Sequence, residues 1–278
     1  MMKFVKWLSK LDRRIIFAMM IAVVLIPMLF SIPVPFEVGE PVRNAFGAID
    51  SLPPGSVIML SVDYDATSYP ECQPMIVAVA NHAFKKDLKL ILLGNIPTGL
   101  PLGQEALDDA AKAYGKSYGE DYVNLGFRPG GITIMVGMGR EIRDFFAQDF
   151  RGTPVDSLPM MVGVHNYDDI SVLVSFAHGI SVEQWVAYAG ARYGQQIIGG
   201  VTGVVAPDLY PYLQSGQIAG LMGGLKGASE YEALIKRKGL ATRGMPAQST
   251  AHILVIFLIV IGSISEFVVD IVEKRRRR

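Results

Sequence analysis

The residues best spaced to do chemistry are Asp63, Asp65 and Thr67, at alternate positions in VDYDATS directly after an apolar run. Two carboxylates leaving one strand end together can contact a small ligand or a cation, and the threonine adds a hydroxyl. The plainer use of these residues is an acidic strand-to-helix loop whose aspartates cap the following turn. A second group is Gly137-Met138-Gly139, read as lying between a strand and a helix, with Arg140 and Arg143 beyond. Glycines there would let the chain turn tightly and present a helix N terminus to an anion. The third glycine of a dinucleotide fingerprint is missing, since Ile stands at 142, so a tight turn with exposed arginines is the simpler account.

Gly216, Gly220, Gly224 and Ala228 recur every four residues, a spacing found between closely packed helices. Each glycine costs a helix about 1 kcal/mol, which favours a strand ending in a glycine-rich turn. Gly223 and Gly224 would then present bare N–H groups to a ligand or another chain. Lys226 followed by Gly227 does not match a nucleotide-binding P-loop. His82, His165 and His178 fall in different elements without metal-ligand spacing. In SFAHG, His178 lies just past a strand end, a position open to catalysis, yet no G-x-S-x-G serine exists to partner it. Structural histidines are the expectation, and no cofactor is implied.

The pattern D-x-D-x-T at 63–67 resembles that of phosphotransferases of the haloacid dehalogenase superfamily. The resemblance implies that Asp63 attacks phosphorus, Asp65 handles the leaving-group proton and Mg²⁺ neutralises charge. Two departures count against it. The second strand ends in Gly94-Asn95 where that superfamily has Ser or Thr, and Asp168-Asp169 precedes its strand instead of following it. Mg²⁺ therefore enters only with this alternative.

The elements that must position these residues follow a βα rhythm. SVIMLSV (56–62), LKLILLG (88–94), GITIMVG (131–137) and ISVLVSF (170–176) are short apolar runs of the kind buried on both faces of a parallel sheet. Further strands are expected within 196–205 and 217–222. Helical spacing predicts helices over 70–86, 103–118, 207–214 and 228–237, and one through Ile142, Phe145 and Phe146. Ser181 with Gln184 predicts a capping box opening another. Strands alternating with helices make this an α/β fold with a Rossmann-like, doubly wound, mainly parallel sheet. Strand order is not readable.

Residues 15–32 contain no charge and are long enough to cross a bilayer; 251–272, uncharged from 253 to 265, also qualifies if Glu266 and Asp270 sit near one interface. The resulting organisation is a basic cytoplasmic segment (1–14), transmembrane helix (15–34), linker (35–55), α/β domain (56–240), linker (241–250), second transmembrane helix (251–272) and basic tail (273–278). Ten of the 26 basic residues lie in the two terminal segments, while 36–247 holds 16 basic against 22 acidic residues. Basic residues beside membrane helices stay cytoplasmic, which predicts cytoplasmic termini and an extracytoplasmic domain. Lys236, Arg237, Lys238 and Arg243 weaken that contrast at the second helix. The first helix reads as an uncleaved signal anchor, because its apolar run is long and Pro33 and Pro35 follow without an A-x-A-like site. Segment 1–14 also mixes Phe4, Trp7 and Leu8 with lysines, as in a surface-lying amphipathic stretch or a basic tail. Glu266 and Asp270, four apart, are either solvated at the cytoplasmic headgroups or a docking point for another membrane subunit. Cys72, the single cysteine, excludes an internal disulfide and is expected buried and inert.

YGEDYVNLGFRPGG (118–131) and YPYLQSGQIAGLMGGLKGASEYEAL (210–234) resemble signature stretches of a group of uncharacterised prokaryotic two-transmembrane-helix proteins. The resemblance spans most of the central domain and implies no activity. Nucleic acid does not suit an acidic domain. The expected function is a membrane-anchored binding or assembly module, noncatalytic, whose partners are the bilayer and a second copy or another membrane protein. The alternatives are a membrane-anchored Mg²⁺-dependent phosphohydrolase using Asp63 and Asp65, and an extracytoplasmic small-ligand receptor.

Overall fold

The computed structural model describes residues 12–30 and 37–276, with side chains past Val269 described only at Lys274. Residues 1–11 of the expected basic segment and the end of the first expected membrane span lie outside it. The chain divides into a membrane-type unit formed by its two ends and an α/β unit covering Phe36–Thr242.

In the α/β unit the first element is helix α2 (Glu40–Asp50), where a linker was expected. Val42, Ala45 and Ile49 give it a buried face at helical spacing. Strand β1 (Val57–Asp63) leads to α3 (Tyr69–Lys85), β2 (Lys89–Gly94) and α4 (Leu100–Tyr114). β3 (Tyr122–Phe127) and the short helix α5 (Ile132–Met138) follow. β4 (Val172–Ala177) leads to α6 (Ser181–Trp185), which continues through a π turn (Val186–Gly190). The series closes with β5 (Ile197–Val201), α7 (Ala206–Gln214), β6 (Gly220–Gly223) and α8 (Gly224–Leu234). All six strands are parallel, in the order β3-β2-β1-β4-β5-β6. The chain winds outward from β1 to β3, then returns to β4 beside β1, so a topological switch point lies between β1 and β4.

Alternate residues divide the core between the two faces of the sheet. Ile58, Leu60, Val62 and Val174 pack beneath α2, α3, α4 and α8, through Ala45, Met75, Leu107 and Tyr231. Met59, Ile91 and Leu173 pack against Met135, Trp185 and Leu209 on the other side. Fully burying one such side chain contributes about 1.5–3 kcal/mol, and strands covered on both faces cannot alternate with polar residues. Helix α2 lies along the outer edge strand β6, where a Cβ on Gly220 would collide with the backbone of Ala45.

Several local expectations are corrected. GITIMVG is helix α5, not a strand. Gly130 and Gly131 turn the chain with φ of 148° and 48°. Tyr167 and Tyr193 then donate to the carbonyls of Met135 (2.6 Å) and Val136 (2.7 Å), satisfying acceptors a short helix leaves open. The strand of that region is β3, whose Asn124 and Gly126 interrupt its apolar pattern beside a register shift opposite Leu92/Leu93. Residues Ile142–Asp144 form only a 3-10 turn. Ile180, not Ser181, is the N-cap of α6, and no side chain caps it. The long helix α9 (Leu240–Arg276) absorbs the expected linker 241–250.

In the membrane-type unit, α1 (Arg13–Phe30) and the greater part of α9 are long and apolar enough to cross a membrane. Their large apolar side chains, among them Phe17, Leu29, Ile256 and Phe267, face outward, as lipid-facing residues would. Thr250 Oγ1 donates to the carbonyl of Val23 at 2.7 Å, joining the two helices.

Candidate functional site

The carboxyl ends of β1 and β4 flank the switch point and carry the residues singled out by spacing. Asp63 is the last residue of β1, paired in register with Ala177, the last of β4. It is 2% exposed. Oδ1 accepts the Asn95 backbone N–H at 2.6 Å, and Oδ2 accepts the Ser61 hydroxyl at 2.6 Å and Asn95 Nδ2 at 3.1 Å. Burial pushes the Asp63 carboxyl above the usual range, opposed by these bonds and more weakly by the Trp185 indole. Asp63 thus joins the ends of β1 and β2. A carboxylate so enclosed cannot approach phosphorus without breaking those bonds.

Asp65 faces water instead. Its Oδ1 accepts from Thr67 N (2.9 Å) and Thr67 Oγ1 (2.5 Å), and these bonds hold its carboxyl below the usual range. This is the self-capping acidic turn. His178 is exposed beyond β4 and adds a small favourable field at Asp65. The two aspartates therefore occupy opposite environments, one internal and one solvated. Among the described residues no group of three or more His, Cys, Asp or Glu is arranged to hold a metal.

The glycine motifs are accounted for by packing. Gly137 and Gly139 end α5 instead of opening a helix, and Cβ atoms there would run into the rings of Phe145 and Tyr193. The segment is therefore no anion cradle. Gly223 closes β6 as the strand expectation requires, but no glycine-rich turn follows: Gly224, with φ of 60°, already opens α8, and Gly227 is helical. The space a Cβ would take is occupied by Ala206 at Gly223, and by Glu71 and the Gly203 backbone at Gly224. Glu71 Oε2 also accepts the Gly203 N–H at 2.7 Å.

Other features were not signalled by any motif. His82 is buried between Tyr231 (Nδ1 to Oη, 2.8 Å) and Asp50 (Nε2 to Oδ1, 3.2 Å), with Phe46 stacked on it at 4.5 Å. Glu230 and Glu232 of α8 are 2% and 3% exposed. Glu230 accepts from Gly39 N (3.1 Å), while Glu232 accepts from the backbone N–H groups of Gly239, Ala241 and Thr242. Two carboxylates on one helix thus hold both segments through which the α/β unit joins the rest of the chain. Cys72 is buried and its thiol is pushed up to about 12, chiefly by burial. Glu266 is exposed on α9, and the side chain of Asp270 lies outside the described residues.

A concavity of about 870 Å³ opens at the opposite end of the sheet, at the starts of β5 and β6. Comparison with protein families, curated proteins and solved structures finds no match to this chain.

Proposed function

We propose that the chain is a membrane-anchored α/β module that binds and assembles without turnover. The observation that carries this reading is the state of Asp63, which accepts three hydrogen bonds from Ser61 and Asn95 in a site 2% exposed. Phosphotransfer needs a carboxylate free to attack and a cation beside it, and that reading loses its support here. In this proposal α1 is a signal anchor, both termini are cytoplasmic, and the α/β unit lies outside. The excess of acidic over basic residues in 36–247, against ten basic residues at the ends, supports that sidedness. Tethering confines the module to two dimensions and raises its effective concentration near a second copy or another membrane protein.

Glu266 is the proposed docking residue. It follows Thr250 by 16 residues, about 24 Å along a helix, whereas Arg14 lies only about 14 Å from Val23. With the helices running in opposite directions, Glu266 reaches the level of the cytoplasmic headgroups, where a basic partner could meet it.

The test uses the full-length protein in lipid nanodiscs. Cross-linking should yield one defined oligomer, and a phosphoester panel with Mg²⁺ should show no turnover. Mg²⁺-dependent turnover that Asp63→Asn abolishes would overturn the reading.

A further inference from the structure

The 870 Å³ cleft lies wholly within the α/β unit, between the start of α2, the π turn after α6 and the loop joining α7 to β6. Its polar lining is almost entirely amide: Asn44, Gln195, Gln196, Gln214 and Gln217. Among the described residues Glu40 is its one ionisable side chain. Each amide offers two donors and an acceptor. Gln217 spends one donor on Ser215 Oγ at 2.9 Å. Gln195, 7% exposed, donates Nε2 to Ile170 O and Gln196 O and leaves its buried Oε1 without a partner. Helices interrupted by π turns are frequent at functional sites, and the turn Val186–Gly190 forms one wall.

Resting on the binding reading above, we infer that this cleft takes an uncharged, hydroxyl-rich ligand, a saccharide of one or two units. The lining excludes the alternatives one by one. Among the described residues no Lys, Arg or His lines it, so phosphate and carboxylate find no counter-charge there. A peptide would seek an open strand edge, but the cleft sits at the strand starts, between α2, the π turn and the loop from α7 to β6. Hydroxyls, which donate and accept at once, match a ring of amides with one carboxylate at its edge. The volume is within the range of small-molecule sites, about 300–1,000 Å³. Such a saccharide could be free or part of an envelope glycan.

The full-length chain in lipid nanodiscs is titrated calorimetrically with maltose, trehalose and chitobiose, and pulled down with insoluble peptidoglycan. A saturable heat of binding with a disaccharide is the expected result, weakened about tenfold by Gln196→Ala or Gln217→Ala, as loss of one or two hydrogen bonds implies. Both glutamines are exposed, so these variants should keep the parent melting temperature. Pull-down competed by disaccharide identifies the envelope glycan, and titration without pull-down identifies the free sugar. No response to any saccharide, equal affinity in both variants, or saturation by phosphate or spermidine instead would overturn the assignment. If saccharides fail while the oligomer persists without turnover, the cleft assignment falls and the assembly reading stands.

Discussion

Replacing Glu232 by glutamine should loosen the hold of α8 on the segment 239–242. The carboxylate is buried and accepts four donors: Gly239 N (2.9 Å), Ala241 N (3.0 Å), Thr242 N (2.8 Å) and Thr242 Oγ1 (2.5 Å). Three are backbone N–H groups at the start of a helix, where no intrahelical partner exists and a negative charge is favoured. Gly239 is needed at this position because a Cβ there would collide with Glu232 Oε1. Glutamine keeps the shape but turns one oxygen into a donor. The least costly orientation keeps oxygen at Oε2, which serves three donors, and sets NH₂ against the Ala241 N–H. One charge-assisted bond is lost, about 1.5–3 kcal/mol. For a unit of this size about 2 kcal/mol corresponds to about 4–8 °C in melting temperature. Thermal unfolding of the full-length protein, with hydrogen exchange at Ala241 and Thr242, measures both consequences. A melting shift under about 1 °C with unchanged exchange at those amides would refute the capping role.

Four further outcomes are expected. His82 has its pKa lowered, first by burial, so its contribution to stability is complete above the unfolded value of 6.5 and is lost as pH falls through the folded one. The melting temperature should therefore decline from pH 7.5 to 5, and His82→Gln should flatten that slope; parallel slopes would contradict the assignment. Asp50, also lowered, gives up its share only at more acid pH and does not confuse that window. Asp63→Ala should cost about 1–3 kcal/mol in chemical denaturation by stranding the Asn95 donors, and millimolar Mg²⁺ should leave the parent's stability unchanged. Gly220→Ala should cost about 1–3 kcal/mol by forcing α2 off β6, seen as a lower denaturation midpoint. Cys72 should resist maleimide in the folded protein and react after denaturation; rapid native labelling would mean the core opens there.

The sheet was largely legible because strands buried on both faces must be continuous apolar runs, as SVIMLSV and LKLILLG are. Its order was not, because pairing Ser61 with Ser175 depends on residues over a hundred positions apart. GITIMVG misleads because β-branched residues also suit a buried helix when tyrosines elsewhere supply its missing hydrogen bonds. Helix α2 is an omission that spacing could have prevented, since Val42, Ala45 and Ile49 already follow a helical period. At the site, spacing identified Asp63 but not its burial, which depends on Asn95 folding back from the next strand end. The amide cleft left only a faint trace, Gln195-Gln196 and Gln214 with Gln217 each just ahead of a strand.

The most direct measurement is labelling with a membrane-impermeant maleimide of single-cysteine variants in a Cys72→Ser background, at exposed Asp168 in the α/β unit and at Lys274 past the second span. In sealed, right-side-out membranes the account predicts labelling at 168 and protection at 274 until the bilayer is disrupted. Equal labelling of both sites before disruption, or labelling at 274 alone, would contradict it.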